Sequence, residues 1–258
     1  MRLTIRISPN SLAFAAREAD GTIAFEPYHT KSGVSIAANL RQAFSESRLL
    51  GAGYKSALAV VDSPVLLLPI EEYSQDAVPT LYAHAFTTGK ENVVLHSVLP
   101  DQNAVAAFTI NRDLRMVLDD NFNDVAVMPM MQPVWACLYH RSFTGTRRKM
   151  FVYIHNKVAE VFAFRQNRFC FSNRFDAARA ADAAYYVLYA WQQLGYNNAN
   201  DELHIVGDCM EQGKFAPLMR EYLANVYEVS PAACFGDSPV VQVKGMPFDL
   251  QAFYAKGR

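Results

Sequence analysis

The feature that most constrains the fold is an order of elements that occurs twice: three alternating strands, a helix and an apolar strand. In the first half, the meander is predicted at residues 3–27, the helix at 35–50 and the apolar strand at 55–61. In the second half, the same elements are predicted at 149–175, 176–194 and 202–206. The halves share no residue-level identity, so the pattern predicts a structural duplication from element order alone.

Turn-forming dipeptides separate the strands of each predicted meander. Pro9-Asn10 and Asp20-Gly21 divide the first meander, and His155-Asn156 and Gln166-Asn167 divide the second. In the second half, Asp176 is predicted to cap the helix. Apolar strands without alternation, such as 55–61, are typical of strands buried on both faces of an α/β sheet.

Further elements are predicted between and after the two repeats. The predicted strands are 65–70, 92–99, 104–110, 125–128 and 226–229, and the predicted helices are 72–86, 112–121, 133–140, 214–223 and 247–254. The polar segment 142–148 contains glycine and has no periodicity, so we predict a domain boundary there, with domains 1–143 and 144–258.

Composition and charge exclude several classes of protein. Hydrophobic residues make up 51% of the 258 residues, which predicts a large buried core. The 24 Lys+Arg residues balance 25 Asp+Glu residues, so we expect no nucleic-acid partner. The start of the chain alternates polar and apolar residues, and no apolar run approaches a membrane span, so neither a leader nor a transmembrane segment is predicted.

The cysteines and histidines give no metal-ligand pattern. None of the four cysteines, Cys137, Cys170, Cys209 and Cys234, forms a C-x-x-C pair, and the six histidines are scattered. We therefore predict no metal site and free thiols in a cytoplasmic protein.

The doubled order of meander, helix and inner strand resembles the actin-like ATPase superfamily, in which each half is a ribonuclease H-like domain. The chain is similar to an uncharacterised bacterial family with this fold, and more distantly to the pilus-assembly and cell-division relatives of actin. The resemblance covers nearly the whole chain. It implies an α/β protein with two ribonuclease H-like domains in an actin-like ATPase arrangement, each opening with a three-stranded antiparallel meander.

The resemblance also implies that the first hairpin of each half holds phosphate through an Asp and a following Gly. Here the two hairpins are Arg6–Ser11, read RISPNS, and Tyr153–Val158, read YIHNKV. Neither contains Asp or Gly, and Pro9 removes one backbone N–H donor. ATP hydrolysis is therefore not expected.

One fragment of the superfamily's adenosine loop is retained after the apolar strand of the second half. Gly207 and Asp208 stand where paired glycines are usual, and Lys214 opens the next predicted helix. These three residues are the candidate nucleotide-binding set if any nucleotide binds. The segment Gly51–Ser56 is not a phosphate loop, because a helix precedes it and a strand follows.

A possible interaction surface lies in the second meander. Basic residues accompany phenylalanines there, with Phe169, Phe171 and Phe175 expected on one face of their strand. The simpler interpretation is a core face opposite a solvated basic face.

The leading functional prediction is a non-catalytic scaffold or partner-binding protein with degenerate phosphate hairpins. This prediction includes no catalytic residue and no cofactor. Its expected partner is a protein, and it is compatible with a homo-oligomer. The alternative is an ATP-binding or kinase-like enzyme with a rewired interdomain cleft, in which Asp62, Asp208 and Lys214 converge on Mg-ATP. A third prediction is a small-ligand regulatory module that uses the same cleft.

Overall fold

The computed structural model describes residues 2–207 and 213–256, which form α/β structure. Its strands are β1 (Arg2–Ser8), β2 (Ser11–Arg17), β3 (Ile23–Tyr28), β4 (Ser56–Val61), β5 (Leu66–Pro69), β6 (Asn92–Leu99), β7 (Ala104–Asn111), β8 (Asp124–Pro129), β9 (Lys149–His155), β10 (Val158–Arg165), β11 (Arg168–Asp176), β12 (Glu202–Gly207) and β13 (Val226–Glu228). Its α-helices are α1 (Ile36–Glu46), α2 (Val78–Ala85), α3 (Arg112–Asn121), α4 (Met131–Ser142), α5 (Ala180–Gln193), α6 (Phe215–Arg220), α7 (Pro231–Phe235) and α8 (Phe248–Lys256).

Two five-stranded sheets repeat one topology. The first sheet has the order β3-β2-β1-β4-β8 and the second β11-β10-β9-β12-β13. In each sheet the first three strands pair antiparallel, and the last two strands run parallel to the first strand of the meander. The duplication predicted from element order is therefore present in the strand connections.

A third, three-stranded sheet follows β4 in the chain, with the antiparallel order β5-β7-β6. Its central strand β7 is buried along almost its whole length, whereas β6 is mostly half-buried. The bounds of β6, β7 and α3 agree with the sequence-based expectations to within one residue. Their assembly into a separate sheet was not predicted.

The chain divides into two compact units. The first contains residues 1–100, 104–132 and 238–250, and the second contains 101–103, 133–237 and 251–258. The first unit therefore takes in a segment from near the end of the chain, which the expected boundary at 143/144 did not include. That boundary stays a prediction.

Each unit has its own apolar core beneath the helices of its sheet. In the first unit, α1 and α3 supply buried residues such as Leu40 and Leu118, which pack with Ile5 of β1. In the second unit, α5 and α6 supply Val187 and Met219 to a core beside β9 and β12. Within the described residues, no helix has both the length and the apolar character that a membrane crossing requires.

The helix predicted from Asp176 begins four residues later. Asp176 is the last residue of β11 and pairs with Val158, and the N–H of Ala177 donates to the carbonyl of Lys157 at 2.8 Å. The strand ladder therefore continues through the expected cap. Arg179 is the N-cap residue of α5 instead, and its backbone N–H donates to the Asp182 carboxylate at 3.1 Å.

The expectation that Phe169 shares a strand face with Phe171 and Phe175 is wrong. A register shift occurs where β11 passes Ala163 and Phe164 of β10. Phe171 and Phe175 consequently pack against the α5 core, whereas Phe169 contacts Phe164 and Trp135. A bulge breaks the period-2 alternation on which the prediction depended.

Two other helices are shorter than predicted. Residues Ile70–Glu72 form a 3₁₀ turn, so α2 starts at Val78 and not near residue 72. The helix expected at 214–223 is reduced to α6, Phe215–Arg220.

Candidate functional site

Both hairpins that correspond to the superfamily's phosphate loops close through tight turns. Ser8 pairs with Ser11, leaving only Pro9 and Asn10 between β1 and β2. In the second unit, His155 pairs with Val158, leaving only Asn156 and Lys157. These last two residues have φ of 45° and 64°, the left-handed pair that is typical of a type I′ turn. Neither hairpin has a loop that extends beyond its strand ladder.

The end of β1 carries a buried ion pair in place of the expected Asp. The Arg6 Nε donates to Oδ1 and Oδ2 of Asp249 at 2.9 and 3.0 Å, and its Nη1 donates to the Ser8 Oγ at 3.1 Å. Asp249 lies in the first turn of α8 and is fully buried. Because desolvation of two charges costs free energy, such a pair is retained only where its geometry is good. The guanidinium charge of Arg6 is thus neutralised inside the first unit.

The end of β9 also carries buried ionisable side chains. His155 is 2% exposed and its Nε2 lies 3.6 Å from Oε1 of Glu160, which is 6% exposed. The same carboxylate oxygen accepts a hydrogen bond from Arg174 Nη1 at 3.0 Å. Glu160 holds this position because it pairs with Arg174 on β11 and with Tyr153 on β9. The Glu160 carboxylate is therefore paired with Arg174 inside the second unit.

Gly207 ends β12 at a point where the backbone approaches β9 closely. Its φ is +93°, and a Cβ added there would lie 2.2 Å from the carbonyl oxygen of Ile154. Only glycine fits this combination of conformation and close approach. The packing of β12 against β9 alone accounts for this glycine, and its role in binding nucleotide stays a prediction.

The other candidate residues fall in different places. Lys214 is exposed and directly precedes α6 in the second unit, and Asp208 lies outside the described residues. Asp62 follows β4 in the first unit, where it is buried and its N–H donates to the carbonyl of Ile7 at 2.8 Å. Convergence of Asp62, Asp208 and Lys214 on a nucleotide stays a prediction.

A groove of about 420 Å³ lies within the first unit, where β6 meets α2, α3 and β8. Sequence reasoning missed it, because its walls come from four elements that only the folded chain brings together. The residues that line it are Gln75, Val78, Pro79, Val94, Leu95, His96, Arg115 and Val127.

The groove combines an apolar wall with two basic side chains. His96 Nε2 lies 2.9 Å from the Tyr73 hydroxyl, and Arg115 Nε donates to Asp119 at 2.8 Å. None of the residues that line the groove is acidic. In the part of the chain that the structure describes, β6 is paired along one edge only, with β7. This arrangement can accept an extended segment along β6, with apolar side chains in the groove.

Residues 1–226 match a family of proteins of unknown function, DUF3822. This chain belongs to the DUF3822 family. Comparison with curated proteins gives no match. The expected likeness to an uncharacterised family is thereby confirmed.

Solved structures confirm the fold of this DUF3822 member. A Bacteroides thetaiotaomicron protein with an actin-like ATPase fold and unknown function is similar with a TM-score of 0.86 and 21% identity, over 98% of this chain and 95% of that one. A chain of the PilM–PilN type IV pilus biogenesis complex is similar with a TM-score of 0.59 and 16% identity, over 98% and 97% of the two chains. The predicted actin-like ATPase fold class is therefore correct.

We expect Gly207→Ala to destabilise the protein by about 3 kcal/mol or more, because it adds a backbone clash to a left-handed residue. Gly21→Ala is the matched control, since Gly21 has a φ of +86° with no atom within 4 Å of an added Cβ. That control is expected to cost about 1 kcal/mol from strain alone. Urea unfolding of both variants measures the difference, and equal losses would contradict the close approach to Ile154.

The buried ion pair on β1 has a matched exposed pair on the same strand, Arg2 with Asp124 at 2.8 Å. We expect Asp249→Asn to lower the free energy of unfolding by about 3–5 kcal/mol, because a buried guanidinium loses its counter-charge. Asp124→Asn should change it by less than about 1 kcal/mol. Urea denaturation midpoints compare the two variants, and a loss at Asp249 no larger than at Asp124 would show that Arg6 does not depend on its carboxylate.

Proposed function

We propose that this DUF3822 protein is a non-catalytic pseudo-ATPase that uses the actin-like fold as a scaffold to bind a protein partner. The observation that carries the proposal is the state of the two phosphate hairpins. Both close in two-residue turns, neither contains the Asp and the Gly that the superfamily pattern requires, and the first carries the buried Arg6–Asp249 ion pair instead.

A structural neighbour supports partner binding as a use of this fold. PilM is found in a complex with PilN, and its similarity to this chain extends over nearly the full length of both proteins. The identity of 16% supports no transfer of that partner to DUF3822. It does support the idea that an actin-like chain can serve in a protein complex.

The groove beside β6 is the place we propose for the partner. An extended segment would pair with the open edge of β6 and bury apolar side chains against Val78, Val94 and Val127. Because the charged lining is basic, through Arg115, the segment should carry an acidic side chain. The proposed partner is therefore a protein with an exposed, apolar and acidic extended segment.

The alternative, an ATP-binding or kinase-like enzyme, is distinguished from the scaffold by binding of Mg-ATP, which only the enzyme requires. The third possibility, a small-ligand regulatory module, differs in taking a metabolite in place of a protein segment. The cytoplasmic location stays a prediction.

We expect millimolar Mg-ATP to leave the thermal unfolding midpoint unchanged within about 1 °C. A ligand at about 100 times its dissociation constant would stabilise the chain by roughly 2.7 kcal/mol, which corresponds to a shift of about 5–10 °C for a chain of this size. Differential scanning fluorimetry with and without Mg²⁺ measures the shift. A Mg-dependent shift that is lost in Lys214→Ala would favour the enzyme alternative.

Peptides selected from a display library on the purified protein test the groove. We expect selected peptides to combine apolar residues with at least one acidic residue, and Arg115→Glu to weaken their binding by about tenfold, or ~1.4 kcal/mol. Arg112→Glu is the matched control, because Arg112 is an exposed residue of the same helix outside the groove lining. Equal losses in both variants, or none in either, would place the partner surface elsewhere.

A further inference from the structure

Two cysteines of the second unit lie side by side although they are far apart in the sequence. Cys137 belongs to α4 and Cys234 to α7, and a hydrogen bond joins their side chains. Neither cysteine is in a disulfide, and both are partly exposed. The two sulfur atoms are therefore near each other and within reach of small molecules.

The surroundings of Cys234 favour its thiolate. The hydrogen bond from Cys137 lowers the pKa of Cys234 below its ordinary value; burial opposes this effect, and the positive charge of Arg141 adds to it. Arg141 lies one turn after Cys137 on α4. Burial has the opposite net result at Cys170, where it raises the thiol pKa. Reactive cysteines are typically partly exposed and close to a positive charge.

We propose that Cys137 and Cys234 form a reversible dithiol–disulfide site that is oxidised by small-molecule disulfides. This site is independent of the groove and of the proposed partner. Cys234 is the attacking residue, and Cys137 is the resolving residue.

The reaction proceeds by two thiol–disulfide exchanges. The Cys234 thiolate attacks one sulfur of the small disulfide, which forms a mixed disulfide and releases one small thiolate. Cys137 then loses its proton to water and attacks the Cys234 Sγ, which releases the second small thiolate. The protein loses two electrons and two protons, and the small disulfide becomes two thiols. The sulfur atoms must approach to about 2.05 Å, a short movement from hydrogen-bond contact.

The new bond would tie α7 to α4. It would close a loop of roughly 100 residues, which restricts the unfolded chain and stabilises the folded one. α7 also ends just before residues 238–250, the segment that belongs to the first unit.

The test uses the purified full-length protein, reduced and then incubated with oxidised glutathione. After remaining thiols are alkylated, digestion and mass spectrometry should identify one linked pair of peptides that contains Cys137 and Cys234. Dithiothreitol should remove the link. The oxidised protein should also unfold at least about 5 °C higher than the reduced protein.

Variants separate the two exchanges. Cys137→Ser should stop the reaction at a glutathione adduct on Cys234, whereas Cys170→Ser should form the link normally. Arg141→Gln should slow alkylation of Cys234 by iodoacetamide at least about twofold at neutral pH and leave Cys170 unaffected.

Three results would overturn the proposal. These are a link that involves Cys170 or Cys209, a link between two protein molecules, and glutathione adducts on both Cys137 and Cys234 without any link between them. Each can be read from the same peptide map, and none depends on the stability of a variant.

Discussion

Parallel pairing of an apolar inner strand with the first strand of a meander is the constraint on which both units depend. β4 pairs with β1 from Ser56 to Val61, and β12 pairs with β9 from Glu202 to Gly207. A parallel neighbour requires a crossover, and α1 and α5 supply it by covering one face of each sheet. At the end of β12 the strands approach so closely that residue 207 has to be glycine. The packing of the sheet thus requires glycine at position 207, where the sequence alone suggests a ligand-binding glycine.

The buried ionisable groups near the ends of β1 and β9 are a second, related constraint. Both units carry buried ionisable groups near the end of the first meander strand, but at different positions and with different neighbours: Arg6 pairs with Asp249 of a distant helix, and His155 lies 3.6 Å from Glu160 of the adjacent strand. Arg6 is held by hydrogen bonds to Asp249 and Ser8. For a phosphate to bind at Arg6, the guanidinium would have to leave Asp249, and a buried carboxylate would then lack its counter-charge. At the end of β1, the ion pair is therefore part of the protein's own packing.

Local patterns in the sequence predicted most elements and both sheets. Alternation through residues 3–27 and the apolar run at 55–61 predict which strands pair as well as where they lie. Tight turns connect the strands of the meander, and a single crossover connects it to the inner strand, so few other pairings are available. The helix at 112–121 was predicted within its bounds, since Asn111 caps it and Phe122 ends it. Failures occurred where a local preference met a tertiary demand. Asp is a residue type that often caps helices, but Asp176 pairs with Val158 as the last residue of β11. A bulge in the same strand pair places Phe169 on the opposite face from the predicted one.

The candidate site was less predictable than the fold, and for a physical reason. The sequence shows directly that two hairpins lack Asp and Gly, but it does not show which side chains contact the strand ends in their place. Nothing near Arg6 in the sequence points to Asp249, and no motif marks the groove, because four elements of the first unit each contribute one to three side chains. The inserted sheet β5-β7-β6 supplies the open strand edge of that groove, whereas the inner strands β4 and β12 are paired on both sides. The open edge of β6 therefore has the backbone donors and acceptors that the proposed partner segment would pair with, and this edge is independent of the two phosphate hairpins.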